Sequence, residues 1–139
     1  MVKLVSVACG VLAVMVWTGP AMAQQGTPAA TAQAQNIQRI PLQRFDVPGT
    51  AYETVIGMAV IAPNVSIGRH VHPGVESGYV IEGSAEMLID GQPPRLLEAG
   101  DSYVIPARTV HDAKAGPEGA RVIATYVVEK GKPLASPVD

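Results

Sequence analysis

Gly68-Arg69-His70-Val71-His72-Pro73-Gly74-Val75-Glu76-Ser77-Gly78-Tyr79-Val80-Ile81-Glu82-Gly83 is the stretch on which the reading of the fold turns. Successive side chains of a strand point to opposite faces, so His70 and His72 project to one side, about 6.6 Å apart along the backbone. Pro73-Gly74 is turn chemistry, and a turn there brings Glu76 toward the same point from the adjoining strand. His111, the remaining histidine of the chain's 3, follows a second segment marked by Gly100 and Pro106. Three imidazoles and one carboxylate suit a borderline divalent ion such as Mn, Fe, Co, Ni, Cu or Zn and leave positions open on an octahedral one. The same residues also fit a degenerate site, or a ligand pocket lined by imidazoles without metal.

Working outward from that stretch, Val, Ile, Tyr and Thr recur in short runs separated by Gly, Pro, Asn and Asp, and no segment sustains a helical period. Strands are expected at 42–47, 52–62, 66–72, 77–82, 85–90, 95–97, 102–105, 111–114 and 121–129. Turns are expected at Pro48-Gly49, Pro63-Asn64, Pro73-Gly74, Asp90-Gly91, Ala99-Gly100 and Ala115-Gly116-Pro117, with Asp90-Gly91 the clearest hairpin signal. Eight or nine short strands in about one hundred residues make an all-β domain, a sandwich or a barrel that covers its own edges.

Upstream, Lys3 precedes an apolar run from Leu4 to Trp17, then Gly19-Pro20 and the small residues Ala21-Met22-Ala23. That is a signal-peptide pattern, with cleavage expected after Ala23 and a periplasmic or secreted product without a stable membrane anchor. Residues 24–39, rich in Gln, Ala, Thr and Pro, read as a flexible linker, and 40–139 as one domain. Cys9 lies within the signal, so the mature chain offers no disulfide, thiolate ligand or cysteine nucleophile. The chain carries −2, and loss of Lys3 with the signal takes it to −3. With no basic cluster, nucleic acid is a poor partner.

The two histidine segments resemble the motifs of the cupin superfamily, Gly-x5-His-x-His-x3,4-Glu-x6-Gly and Gly-x5-Pro-x-Gly-x2-His-x3-Asn. His70, His72, Glu76 and Gly83 match the first, with Asn64 in place of its opening glycine. Gly100, Pro106 and His111 match the second, with Arg108 replacing a glycine and Ala115 in the asparagine position. Asparagine tolerates the left-handed turn that glycine offers; arginine does so less readily. The resemblance covers roughly residues 44–129. It implies a jelly-roll barrel (a double-stranded β-helix) with a divalent metal held by His70, His72, Glu76 and His111, and a homodimer.

Alternation then sorts the neighbours. If His70 and His72 face inward, so do Ser66 and Gly68, and Arg69 and Val71 face out; counting from Glu76 sends Gly78 and Val80 in, and Ser77, Tyr79 and Ile81 out. Asp112 and Lys114 point away from the ion and Ala113 toward it. Tyr103, Met58, Met87 or Leu88 can line the pocket, and Tyr103 is read as packing rather than chemistry. The catalytic residues stay open, with Glu76 able to serve as a base if it leaves the metal. With few proton-moving groups in view, the expected activity is metal-centred chemistry on a small organic molecule, a dioxygenase-like oxidoreductase, with a lyase or isomerase also open. The alternative is a non-catalytic module that binds metal or a small ligand.

Overall fold

A computed structural model describes residues 36–139, and the expected signal peptide, its cleavage site and the linker up to residue 35 lie outside them. The described residues form β1 (Ile37–Asp46), β2 (Tyr52–Ile61), β3 (His70–Val71), β4 (Val75–Ile89), β5 (Arg95–Glu98), β6 (Ser102–Ile105), β7 (His111–Glu129) and β8 (Ser136–Pro137). All eight join one curled antiparallel sheet, in which β1-β2-β7-β3-β8 run side by side and β4 pairs with β5, β6 and β7. The all-β jelly-roll expectation holds.

Apolar residues of alternate register fill the interior: Val80 is fully enclosed, and Leu97, Ile105, Ile61, Met87 and Ala85 pack around it. Each large aliphatic side chain so enclosed contributes on the order of 1.5–3 kcal/mol relative to exposure. β1 begins at Ile37, inside the stretch expected to be linker, because the Ile37 side chain is buried in this core.

Two pairs of expected strands are each a single long one. β4 and β7 face each other over most of their length, and the ladder slips between Val80 and Glu82 and again between Gly83 and Ala85. At the second slip, residues 116–119 of β7 have no partner in the register, so Pro117 sits where no ladder donor is missed. Gly83 and Gly119 both have positive φ, and a Cβ on Gly83 would lie 2.1 Å from the Gly119 carbonyl oxygen. The Ala115-Gly116-Pro117 signal therefore marks a bulged corner in one bent strand and not a loop between two.

The segment 66–69 is not strand apart from an isolated bridge between Ser66 and Lys114. Alternation cannot be counted through it, and Ser66, expected inward, instead hydrogen-bonds the Asp112 carboxylate on the side away from the histidines. Ile67 and Gly68 line the interior cavity in its place. Elsewhere parity holds: Val80 is enclosed and Tyr79 half exposed, and Ala113 is buried.

Both substituted motif glycines adopt the glycine conformation. Asn64 and Arg108 each have φ 61°. The Arg108 N–H donates to the His72 carbonyl at 2.8 Å, which ties the second-motif loop to the first.

Candidate metal centre

Register brings the donors together. His70 of β3 stands opposite His111 at the start of β7, and Glu76 of β4 pairs with Tyr126 further along β7. One potential ligand atom from each of His70, His72, Glu76 and His111 lies within 4.8 Å of the others. His72, Glu76 and His111 are almost wholly buried, and His70 is the member open to the cavity.

All three imidazoles are oriented by main chain. The Nδ1 atoms of His70, His72 and His111 lie 2.7, 2.7 and 2.8 Å from the carbonyl oxygens of Gly68, Leu134 and Thr109. A carbonyl only accepts, so each Nδ1 carries the proton and each Nε2 keeps its lone pair for the centre. His72 Nε2 is 2.9 Å and His111 Nε2 3.3 Å from Glu76 Oε2.

These same atoms, His72 Nε2, His111 Nε2 and Glu76 Oε2, are buried without a hydrogen-bond partner of proper geometry. Orphaned buried acceptors are costly, and a cation at their focus is the one group that satisfies all of them together. The donor set therefore fits a divalent transition metal, as the sequence led us to expect.

The charges agree with that use. Burial alone would raise the Glu76 carboxyl, but the adjacent His111 and His72 rings and the Tyr103 hydroxyl outweigh it and hold its pKa at about 2. Burial depresses His70, with the Gly68 carbonyl opposing in part. His111 moves up, because the Glu76 and Thr109 contacts overcome its burial.

The centre forms the floor of a cavity of about 940 Å³, walled mainly by aliphatic side chains that include Ile37, Ile67, Met87 and Leu134. Met58 and Tyr103 reach this wall as expected, whereas Leu88 does not. Tyr103 is more than packing: its hydroxyl donates to Glu76 Oε1 at 2.8 Å. Its ring lies over Gly78, where a Cβ would come within 2.2 Å of the ring. An inward glycine two residues after a ligand was the signal that something large crosses that spot.

Three features escaped the sequence reading. Tyr126 reaches the cavity, its ring 4.7 Å from that of His72, and among the described residues its hydroxyl has no hydrogen-bond partner. Burial raises the pKa of both phenols, and the Glu76 charge adds to it. The C-terminal segment supplies the Leu134 carbonyl and, through β8, pairs with His70 and Val71. Arg39 of β1 lines the cavity as well. By contrast Arg69, read as structural, forms a two-point ion pair with Asp90, both contacts at 2.9 Å.

Comparison with known proteins places this geometry. The family model of the Cupin domain matches residues 57–128, just over half of the chain. The dimethylsulfoniopropionate lyase DddW of Ruegeria pomeroyi is 36% identical over 69 residues, which are 50% of this chain and 45% of that protein. The chain thus spans less than half the length of this relative. The solved structure of the DMSP lyase DddQ from Ruegeria pomeroyi superposes with a TM-score of 0.67 at 18% identity, covering 84% of this chain and 59% of the other. A cupin-like protein from Thermotoga maritima gives 0.61 at 25% identity, over 73% and 75% of the two chains.

Proposed function

This chain belongs to the cupin family, and on that premise we propose that it is a metal-dependent enzyme that moves a proton on a small organic acid, with lyase-type elimination the reaction best supported. The observation that carries the proposal is the placement of a free Tyr126 hydroxyl and the Glu76-bound Tyr103 in one cavity with the four donors. The oxidoreductase reading and the binding-module reading both drew on an apparent lack of proton-moving groups beside the ion, and these two phenols remove that ground. The local identity to a lyase supports the same choice of reaction.

Bound at the four donors, a divalent ion would polarise a substrate carboxylate and make the adjacent C–H more acidic. The protein's own groups do the rest. The three backbone carbonyls hold the imidazoles in register, and Tyr103 fixes Glu76 through its second oxygen. The Tyr126 hydroxyl, which a cation at the four donors would make more acidic, first gives its proton to solvent; as phenolate its oxygen takes the proton from the carbon next to the carboxylate, the C–H pair becomes the new double bond, and the group on the next carbon leaves with its bonding electrons. The aliphatic wall lowers the polarity around that step.

Zinc-, iron- or manganese-loaded protein incubated with a panel of 3-substituted propionates, dimethylsulfoniopropionate among them, should yield an unsaturated acid visible by NMR. Tyr126→Phe should lower kcat by about 10²–10⁴-fold with metal content unchanged, the usual range for a lost acid/base group. Oxygen uptake without any unsaturated product would sink the proposal and return the oxidoreductase reading. On the N-terminal pattern alone we place the enzyme in the periplasm or outside the cell. We also infer a homodimer that uses the outer face of β4, β6 and β7, where Val75, Tyr79, Val104 and Val127 are exposed; Val104→Asp should shift its elution to a monomer.

A further inference from the structure

We propose that Arg39 anchors a second anionic group of the substrate, so that the cavity takes a small organic acid with two anionic ends, one at the metal donors and one at the guanidinium. The inference rests on the metal-centred reading above and narrows its substrate class.

Arg39 sits opposite Ala59 in the β1–β2 ladder, two residues from the buried Ile37–Ile61 pair and on the same face of β1 as Ile37. Arg39 lines the cavity at its rim, where the side chain is also exposed to solvent. Three arginines line the cavity, and two of them are committed elsewhere. Arg44 lies 3.6 Å from Glu53, and Arg69 holds Asp90 in a fork. Arg39 has no hydrogen bond or ion pair among the described residues.

The cavity's own carboxylate does not supply the missing partner, because Glu76 faces His72 and His111 and accepts from Tyr103. A guanidinium offers a planar pair of donors matched to a carboxylate. The apolar surface between Arg39 and the histidines, formed by Ile37, Ile67 and Ala59 among others, suits the methylene body of a diacid. A substrate whose far end is a sulfonium cation would be repelled by the same residue.

The test is calorimetric titration of zinc-loaded wild type, Arg39→Gln and Arg39→Lys with succinate, glutarate and adipate, each set against the monoacid of equal chain length. Metal content is measured on every sample. In the wild type at least one diacid should bind about 10-fold or more tightly than its monoacid, as expected for a two-point charged contact. Arg39→Gln should erase that preference while leaving monoacid affinity and zinc content unchanged, and it should tighten binding of dimethylsulfoniopropionate. Arg39→Lys should keep part of the preference, since a point charge lacks the fork. No diacid preference in the wild type, or the same preference in Arg39→Gln, overturns the proposal. Failure of fully zinc-loaded wild type to bind even the monoacids would instead overturn the metal-centred reading beneath it.

Discussion

Replacing Tyr103 with phenylalanine removes one oxygen and leaves the ring over Gly78 in place. What is lost is the 2.8 Å donation to Glu76 Oε1, a hydrogen bond to a charged and buried acceptor. Such a bond contributes about 1.5–3 kcal/mol, and among the described residues it is the one hydrogen bond that oxygen receives. If the bond orients the carboxylate for metal, most of this appears in metal affinity, a loss of roughly 10–150-fold at 1.4 kcal/mol per tenfold. Competition with a chromophoric chelator on the wild type and Tyr103→Phe measures it directly. At saturating metal, kcat should recover to within about tenfold of wild type, because Tyr103 acts through Glu76 and Tyr126 moves the proton. Two results would refute this reasoning. Unchanged metal affinity would show that Glu76 needs no support from Tyr103. A kcat still about 10²-fold down at full occupancy would make Tyr103 the proton-moving residue instead.

Other perturbations separate the parts of the site. His72→Ala deletes a buried donor atom at the focus of the centre, and metal analysis of the purified variant should find little or none; full occupancy would place the site elsewhere. Deleting the chain after Lys132 removes the Leu134 carbonyl and the β8 pairing that hold His72 and His70, and chelator competition should show a loss of about 10–100-fold in metal affinity. The metal-free protein should lose stability as pH falls from the ordinary carboxylate range toward about 2, since the Glu76 pKa is depressed in the folded state and its contribution is present only above the unfolded value. Glu76→Gln should flatten that part of a denaturant-monitored pH curve, and an unchanged curve would mean that other carboxylates dominate it.

His70, His72, Glu76 and the all-β class were legible because they rest on local rules, whereas His111 joined the set through the motif resemblance. Alternation places His70 with His72, and a Pro-Gly turn returns Glu76. Turn residues were less informative, since Gly and Pro mark a bulged corner as readily as a loop; nothing local in Gly116-Pro117 says that β7 continues through it. Tyr103 and Tyr126 were out of reach for a related reason. Their inward register follows from pairing with Gly78 and Glu76 of β4, a property of long-range pairing. The Leu134 carbonyl was less legible still, because any residue presents one.

That last point bears on the charge of the site. Histidine ligands are often oriented by carboxylates, each of which adds a negative charge to the surroundings of the ion. Here Gly68, Thr109 and Leu134 do the work with neutral carbonyls. Asp112, the acidic residue next to His111, spends its oxygens on Ser66 and the Gly68 N–H, away from the centre. Glu76 is then the one formal negative charge among the donors, so a divalent ion leaves the centre at +1. In a cavity walled by Ile, Met and Leu that charge is poorly screened. An anionic oxygen at an open coordination position neutralises it, which makes an organic acid a better match for this centre than a neutral phenol or thiol. The unpaired Arg39 extends the same preference outward along the wall, so both ends of the cavity select for negative charge and the aliphatic stretch between them selects for what joins it.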